Sequence, residues 1–213
     1  MLHVHHFVFN PYQENTYIIY NDEGECIIID PGMSTAREEE ELVLFIEKNN
    51  LRPVKLLNTH CHVDHVLGNH FIASTYQLVP AFHEGEIPVL VEVQNYAPQM
   101  GFRYDVSPIP LEFLDDNSIV RLGEYELFCI LAPGHSPAHL CFYSSQFNFL
   151  IGGDVLFRNS IGRTDLPGGN HAQLLNSIKS RIYSLPNETV VYPGHGPTTT
   201  IGYEKENNPF IRG

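Results

Sequence analysis

The chain has 213 residues, 43% of them hydrophobic, with 12 basic and 25 acidic side chains. That length and apolar content suit one globular domain, residues 1–213, with its own core, and exclude a disordered chain. A formal charge of -13 leaves no basic stripe to meet phosphates, which argues against nucleic acid and anionic membrane as partners.

The N-terminal run M-L-H-V-H-H-F-V-F lacks a basic segment and a cleavage site, and no apolar stretch approaches the roughly 18 residues of a membrane span. Cys26, Cys61, Cys129 and Cys141 form no C-x-x-C pair, and are expected as reduced, mostly buried thiols. Together these features point to a cytoplasmic protein.

In chain order, Val4 to Phe9, Thr16 to Tyr20 and Cys26 to Ile29 are short, β-branched and aromatic, the pattern of strands. Asp30-Pro31-Gly32 breaks the sheet. Thr35 with Glu38 makes a capping box for a helix whose apolar stripe is Leu42, Phe45 and Ile46, with Lys48 in its last turn. A strand is expected at Val54 to Leu57, a second helix at His65 to Tyr76, and a strand at Leu78 to Phe82. The stretch 86–112 is the least regular, and fits either a helix and loop over a site or a surface insertion. Strands follow at Ser118 to Leu131, broken by a turn at Leu122 to Glu124, then at Leu140 to Ser144 and Phe147 to Ile151. Asn170 with Gln173 opens a third helix with stripe Leu175, Ile178 and Ile182, and Val190 to Tyr192 is the last strand. Hairpins alternating with helices imply an α/β chain with two sheets inside and helices outside.

The densest chemistry lies in Thr59 to His65, T-H-C-H-V-D-H. If this run stays extended, His60, His62 and Asp64 share one face while Cys61 and Val63 point into the core. Imidazole and carboxylate together suit zinc, iron or manganese. Four such side chains exceed what one open catalytic ion takes from a single segment, so two ions are considered. His135, Asp154 and His195 each follow an expected strand, where loops gather at one sheet edge.

This constellation resembles the metallo-β-lactamase superfamily, whose H-x-H-x-D-H motif the run matches residue by residue. Within it the chain is similar to compact bacterial glyoxalase II-like hydrolases, through P-G-H-S-P-A-H (Pro133 to His139), G-R-T-D-L-P-G-G (Gly162 to Gly169) and G-H-G-P-T-T-T-I-G with its N-P-F tail (Gly194 to Phe210). The resemblance implies a four-layer αββα sandwich with two mixed sheets and a site for two divalent metal ions, zinc first, with iron or manganese as alternatives. It implies one ion held by His60, His62 and His135, the other by Asp64, His65 and His195, and Asp154 bridging them.

The implied chemistry is hydrolysis of a small thioester such as S-lactoylglutathione. Two cations lower the pKa of a shared water to about 7, and a thiolate of pKa near 8.5 departs with little protonation. Asp64 is the candidate for orienting the nucleophile as well as ligating. Arg163, Tyr203 and Lys205 are candidate substrate contacts, and Asp165 and His139 are candidates for holding ligands from behind. An Arg163–Asp165 ion pair stapling the loop is an equal reading. The longer glyoxalase II enzymes carry a helical extension where this chain has positions 196–213, which leaves the thiol half of the substrate open. A persulfide dioxygenase with one iron also resembles T-H-C-H and G-R-T-D, and a lactonase is a third alternative. The tail from Ile201 to Phe210 favours the hydrolase, and the bridging aspartate sets the pattern apart from the β-lactamases.

Overall fold

The structure, a computed structural model, describes residues 1–110 and 112–213. Its first sheet has the order β1 (Leu2–Phe9), β2 (Glu14–Asn21), β3 (Glu25–Ile29), β4 (Arg52–Leu57) and β5 (Pro80–Ala81), antiparallel up to β3 and parallel beyond it. The second sheet has the spatial order β13 (Thr199–Thr200), β12 (Val190–Pro193), β9 (Phe149–Gly153), β8 (Leu140–Ser144), β7 (Tyr125–Leu131) and β6 (Ile119–Leu122), with β12 and β9 parallel. A two-stranded ribbon, β10 (Leu156–Phe157) with β11 (Ser160–Ile161), stands beside them.

Side-chain alternation builds the layers. Ile27 and Ile29 face Leu127, Cys129, Phe142 and Ile151 between the two sheets. Cys26 and Ile28, one residue out of phase, pack under Leu42 and Ile46 of α1 (Ala36–Lys48) and Ile72 of α3 (Asn69–Tyr76). Cys141, Leu150 and Val191 cover the opposite outer face with Leu174 of α5 (His171–Ser177), Ile178, Ile182 and Ile201, the first residue of α6 (Ile201–Asn207). The four layers are therefore helix, sheet, sheet, helix, the αββα arrangement. Among the described residues no helix is long and apolar enough to cross a membrane.

Three expectations are corrected, and one open alternative is settled in favour of a helix. The second helix is broken: a short turn α2 (Val63–Val66) precedes α3, because the Gly68 N–H is diverted to Pro31 O at 2.7 Å. The strand expected at Leu78 to Phe82 shrinks to Pro80–Ala81. In the third helix Leu174, rather than Leu175, is fully buried, since the wide turn at Ile178–Ile182 shifts the inward face. The irregular 86–112 stretch holds α4 (Ile87–Tyr96), whose Leu90 and Val93 pack on Cys61, Val63 and Phe82; Leu111 of that stretch lies outside the described residues.

Strand direction places the chemistry. β3 and β4 run parallel, β12 and β9 run parallel, and β7 shares their direction through antiparallel β8. Their C-terminal ends thus open onto one edge of the sandwich, where Asp30, His60, His135, Asp154 and His195 follow.

Candidate metal centre

The sequence that follows β4 turns rather than continuing extended. His62 keeps an extended backbone (φ -66°, ψ 154°), but Val63 starts α2, and His65 N–H bonds His62 O at 3.1 Å. Strand alternation therefore covers His60 and His62 only, and Asp64 and His65 reach the site from a helical turn. Cys61 and Val63 are buried against α4.

Two donor sets that share no residue result, beside a third group, Asp30, His60 and His65, that overlaps both. His60, His62 and His135 bring one ring nitrogen each within 4.8 Å of one another, and so do the ligand atoms of Asp64, His65 and His195. In the first set His135 Nε2 stands 2.9 Å from His62 Nδ1 and 3.2 Å from His60 Nε2. Donors around a tetrahedral zinc ion, at bonds of 2.0–2.1 Å, are separated by about 3.3 Å. Asp154 lies between the sets: Oδ1 is 3.5 Å from His65 Nε2, and Oδ2 is 3.5 Å from both His135 Nε2 and His195 Nε2. Asp64 Oδ2 is 3.2 Å from His195 Nε2.

The hydrogen-bond network assigns the tautomers. His135 Nδ1 donates to Arg163 O at 2.7 Å, and His195 Nδ1 donates to Tyr12 O at 3.1 Å. Thr59 Oγ1 donates to Asp30 Oδ2 at 2.6 Å and so accepts from His60 Nδ1 at 3.0 Å. The Nε2 lone pairs of His60 and His135 therefore converge with no proton between them, which a shared cation renders favourable. His65 Nε2 and Asp154 Oδ1 are buried with no hydrogen-bond partner, a second sign that this donor set fits a cation.

Electrostatics divide the sets. Burial and the surrounding imidazoles push His60 well below the ordinary histidine range, and burial with His135 pushes His62 down to about 3. At His65 burial acts the same way, but Asp64, Asp154 and Asp30 outweigh it and raise the group well above its ordinary value. Burial opposes the ionised form of Asp154, yet His65, His135 and His195 hold it far below the usual carboxylate range. One side centres on His60 and His62, whose charged forms are disfavoured, and the other is a carboxylate-rich pocket that attracts positive charge.

Other expected residues take different places. Arg163 Nε and Nη2 bind Asp165 at 2.8 and 2.7 Å, both side chains exposed. Asp165 is thus engaged by Arg163, and the group behind His135 is the Arg163 carbonyl. His139 is buried behind the cluster; its Nε2 accepts Asp154 N–H at 3.0 Å, and its ring stacks on His60. Lys205 Nζ binds Asn187 Oδ1 at 2.7 Å, and the Tyr203 ring lies under Arg158 at 5.5 Å. Phe157, next to Arg158, has its ring 6.3 Å from that of His195.

Asp30 is the residue that sequence reasoning passed over. Its Oδ1 accepts Thr59 N–H at 2.7 Å, and its Oδ2 accepts both Thr59 Oγ1 and His65 Nδ1, the latter at 3.1 Å. With both oxygens occupied it supports ligands rather than joining them, an orienting carboxylate behind a histidine. The available signal was an acid directly after the wholly buried run Cys26 to Ile29. Residues 193–196 are clasped from the first sheet: Asn15 Nδ2 donates to Pro193 O and Gly196 O, each at 2.9 Å, and Tyr17 Oη to Pro193 O at 2.7 Å. Gly194 permits that approach, because a Cβ there would collide with Asp154 Oδ1 and lie 2.8 Å from His65.

The metallo-beta-lactamase superfamily profile matches residues 9–195. The chain is 33% identical over 204 residues to "Probable metallo-hydrolase YqgX" of Bacillus subtilis, covering 95% of this chain and 94% of that one. It is 33% identical over 206 residues to "Hydroxyacylglutathione hydrolase GloC" of Haemophilus influenzae, covering 94% and 93%. The solved structure of BLEG-1 B3 metallo-beta-lactamase superposes with a TM-score of 0.89 at 35% identity, over 99% of this chain and 100% of that one. TTHA1623 in a di-iron-bound form gives 0.87 at 36%, over 97% and 100%. With its four layers, its edge-on donor sets and these relatives, the chain belongs to the metallo-β-lactamase superfamily of metal-dependent hydrolases.

Proposed function

We propose that the chain is a dinuclear, glyoxalase II-like hydrolase of a small thioester such as S-lactoylglutathione. His60, His62 and His135 would hold one divalent ion and Asp64, His65 and His195 the other, with Asp154 shared between them; zinc is the first candidate, with iron or manganese as alternatives. The observation that carries this reading is Asp154, whose one carboxylate stands 3.5 Å from histidines of both sets. The 33% identity to GloC of Haemophilus influenzae supports the thioester. Four buried thiols suit a reducing, cytoplasmic setting.

When bound, such an ion pair would supply an acidified water, of pKa near 7, and a polarised thioester carbonyl. The chain's own residues orient and hold. Asp64, beside His195, is the candidate for orienting the attacking water as well as ligating. His139 secures the backbone of Asp154, and the Arg163 carbonyl and Asp30 fix the rings of His135 and His65. A thiolate leaving group near pKa 8.5 needs no dedicated proton donor. Arg163 is the proposed contact for a substrate carboxylate, since an exposed pair with Asp165 is worth only about 0–1 kcal/mol and exchanges readily. Tyr203, under Arg158, is a further candidate contact, since the neighbouring Phe157 reaches the ring of His195.

The test is loss of the thioester of S-lactoylglutathione with purified protein, with Asp64→Ala as control and the metal content measured in parallel. Turnover that disappears in the control, with two ions per chain, is the expected result. One iron per chain with oxygen uptake on glutathione persulfide would replace the reading with a dioxygenase. Faster turnover of a chromogenic cephalosporin than of the thioester would replace it with a β-lactamase, the activity named for BLEG-1.

A further inference from the structure

Glu86 ends the 3-10 turn Glu84–Glu86 ahead of α4 and is completely buried. Its Oε2 accepts the Cys61 N–H at 3.0 Å, and its Oε1 accepts the Ala138 N–H at 2.8 Å. Cys61 lies between His60 and His62, and Ala138 between His135 and His139. One carboxylate therefore joins the loop that leaves β4 in the first sheet to the loop that leaves β7 in the second. All three histidines of one donor set come from those two loops.

Two further features show how closely this turn is fitted. A Cβ on Gly85 would lie 2.7 Å from Ala138 Cβ, so the turn rests directly on the His135 loop. Leu90, Val93 and Ala97 fasten α4 to Cys61, Val63 and Val66. Burying a carboxylate costs several kcal/mol of desolvation, which an apolar side chain of similar size would avoid. Packing alone therefore does not account for an acid at this position, whereas joining two amides by charge-assisted bonds does.

We propose that Glu86 is a positioning residue for the three-histidine set, fixing the His60–His62 loop against the His135 loop at cation-binding separation. The assignment rests on the two-ion reading above. It makes Glu86 and the start of α4 a buttress of the centre, and predicts that weakening Glu86 lowers cation affinity at one donor set ahead of the other.

The experiment titrates the metal-free chain with zinc against a chromogenic chelator. The wild type is expected to take two ions. Glu86→Gln, of the same size but with an amide in place of one acceptor, should weaken one ion by about 10–100-fold, the usual effect of losing a supporting group, and leave the other unchanged. Glu204→Gln is the control for general destabilisation: Glu204 is equally buried but bonds Asn159, Thr199 and Asn208, and both affinities should persist. A wild type that binds no ion would overturn the two-ion reading itself. Two ions bound at wild-type affinity by Glu86→Gln, or equal losses at both sites in both variants, would overturn only the role of Glu86. Should Glu86→Gln not fold, hydrogen exchange of the wild type decides: the Cys61 and Ala138 amides should slow together on zinc loading, and unchanged exchange overturns the proposal.

Discussion

Asp30→Asn tests whether the centre is set by the groups behind its ligands. Asp30 lies at φ +50°, a left-handed conformation that asparagine adopts as readily as aspartate, so the backbone has no reason to move. The new amide has one acceptor where the carboxylate had two. Its NH₂ cannot face Thr59 N–H, which is held on Oδ1 at 2.7 Å, because two donors would then oppose each other. It must replace Oδ2, where Thr59 Oγ1 can rotate to accept but His65 Nδ1 must give up its proton. The proton moves to His65 Nε2, the atom aimed at Asp154, and blocks it as a ligand. Loss of a charge-assisted bond costs about 2 kcal/mol, which lowers Tm by roughly 4–8 °C in a chain of this size. Affinity for the ion at Asp64, His65 and His195 should fall about 10–100-fold, or about 1.4–2.8 kcal/mol. Chelator competition measures the affinity, and nitrogen-15 NMR of His65 reads the tautomer. Wild-type affinity at both sites, with His65 still protonated on Nδ1, would refute the reasoning.

Asp154→Ala should lose metal and activity together, because one carboxylate meets histidines of both sets; an active variant with two ions by elemental analysis would contradict the bridging role. The two ions should differ in pH dependence. His65 and His195 are raised in the metal-free protein, so protons compete with a cation there at higher pH than at His60 and His62, which are lowered. As pH falls from about 7 to about 5 the Asp64–His65–His195 ion should leave first, with proton release on loading at the higher pH, both measurable by calorimetry in two buffers. Arg163→Ala should raise KM with little change in kcat and shift stability by less than about 1 kcal/mol, since its pair with Asp165 is exposed. A fall in Tm with unaltered kinetics would assign the pair to the loop alone.

What the sequence exposes here is mostly local. The capping box of α1 is complete, with Thr35 Oγ1 accepting Glu38 N–H and Glu38 Oε2 accepting Thr35 N–H, because all its atoms lie within one turn. The run His60 to His65 stands out because ligand-type side chains are dense there, and the strand alternation around Ile27 to Ile29 identifies the layers. What stayed hidden depends on distant partners. Asp30 looks like the start of an Asp-Pro-Gly turn until Thr59 and His65, 29 and 35 positions away, come to rest on it. Glu86 looks like one acid of an irregular stretch until Cys61 and Ala138 meet it, 25 and 52 positions away. The support behind His135 is a backbone carbonyl, for which side-chain identity carries no signal. The break between α2 and α3 is likewise decided outside the helix, by Pro31.

The clasp of Asn15 and Tyr17 on Pro193 and Gly196 joins positions 176–181 residues apart. Contacts of such separation carry the largest loop-closure entropy, and they form only after the intervening strands have paired and the two sheets have docked. His195 is held by this clasp and by Tyr12, 183 positions before it. Its donor set is therefore completed at the end of folding. On the two-ion proposal, cation uptake by Asp64, His65 and His195 would therefore report sheet docking, because chains with intact hairpins but undocked sheets would lack the set.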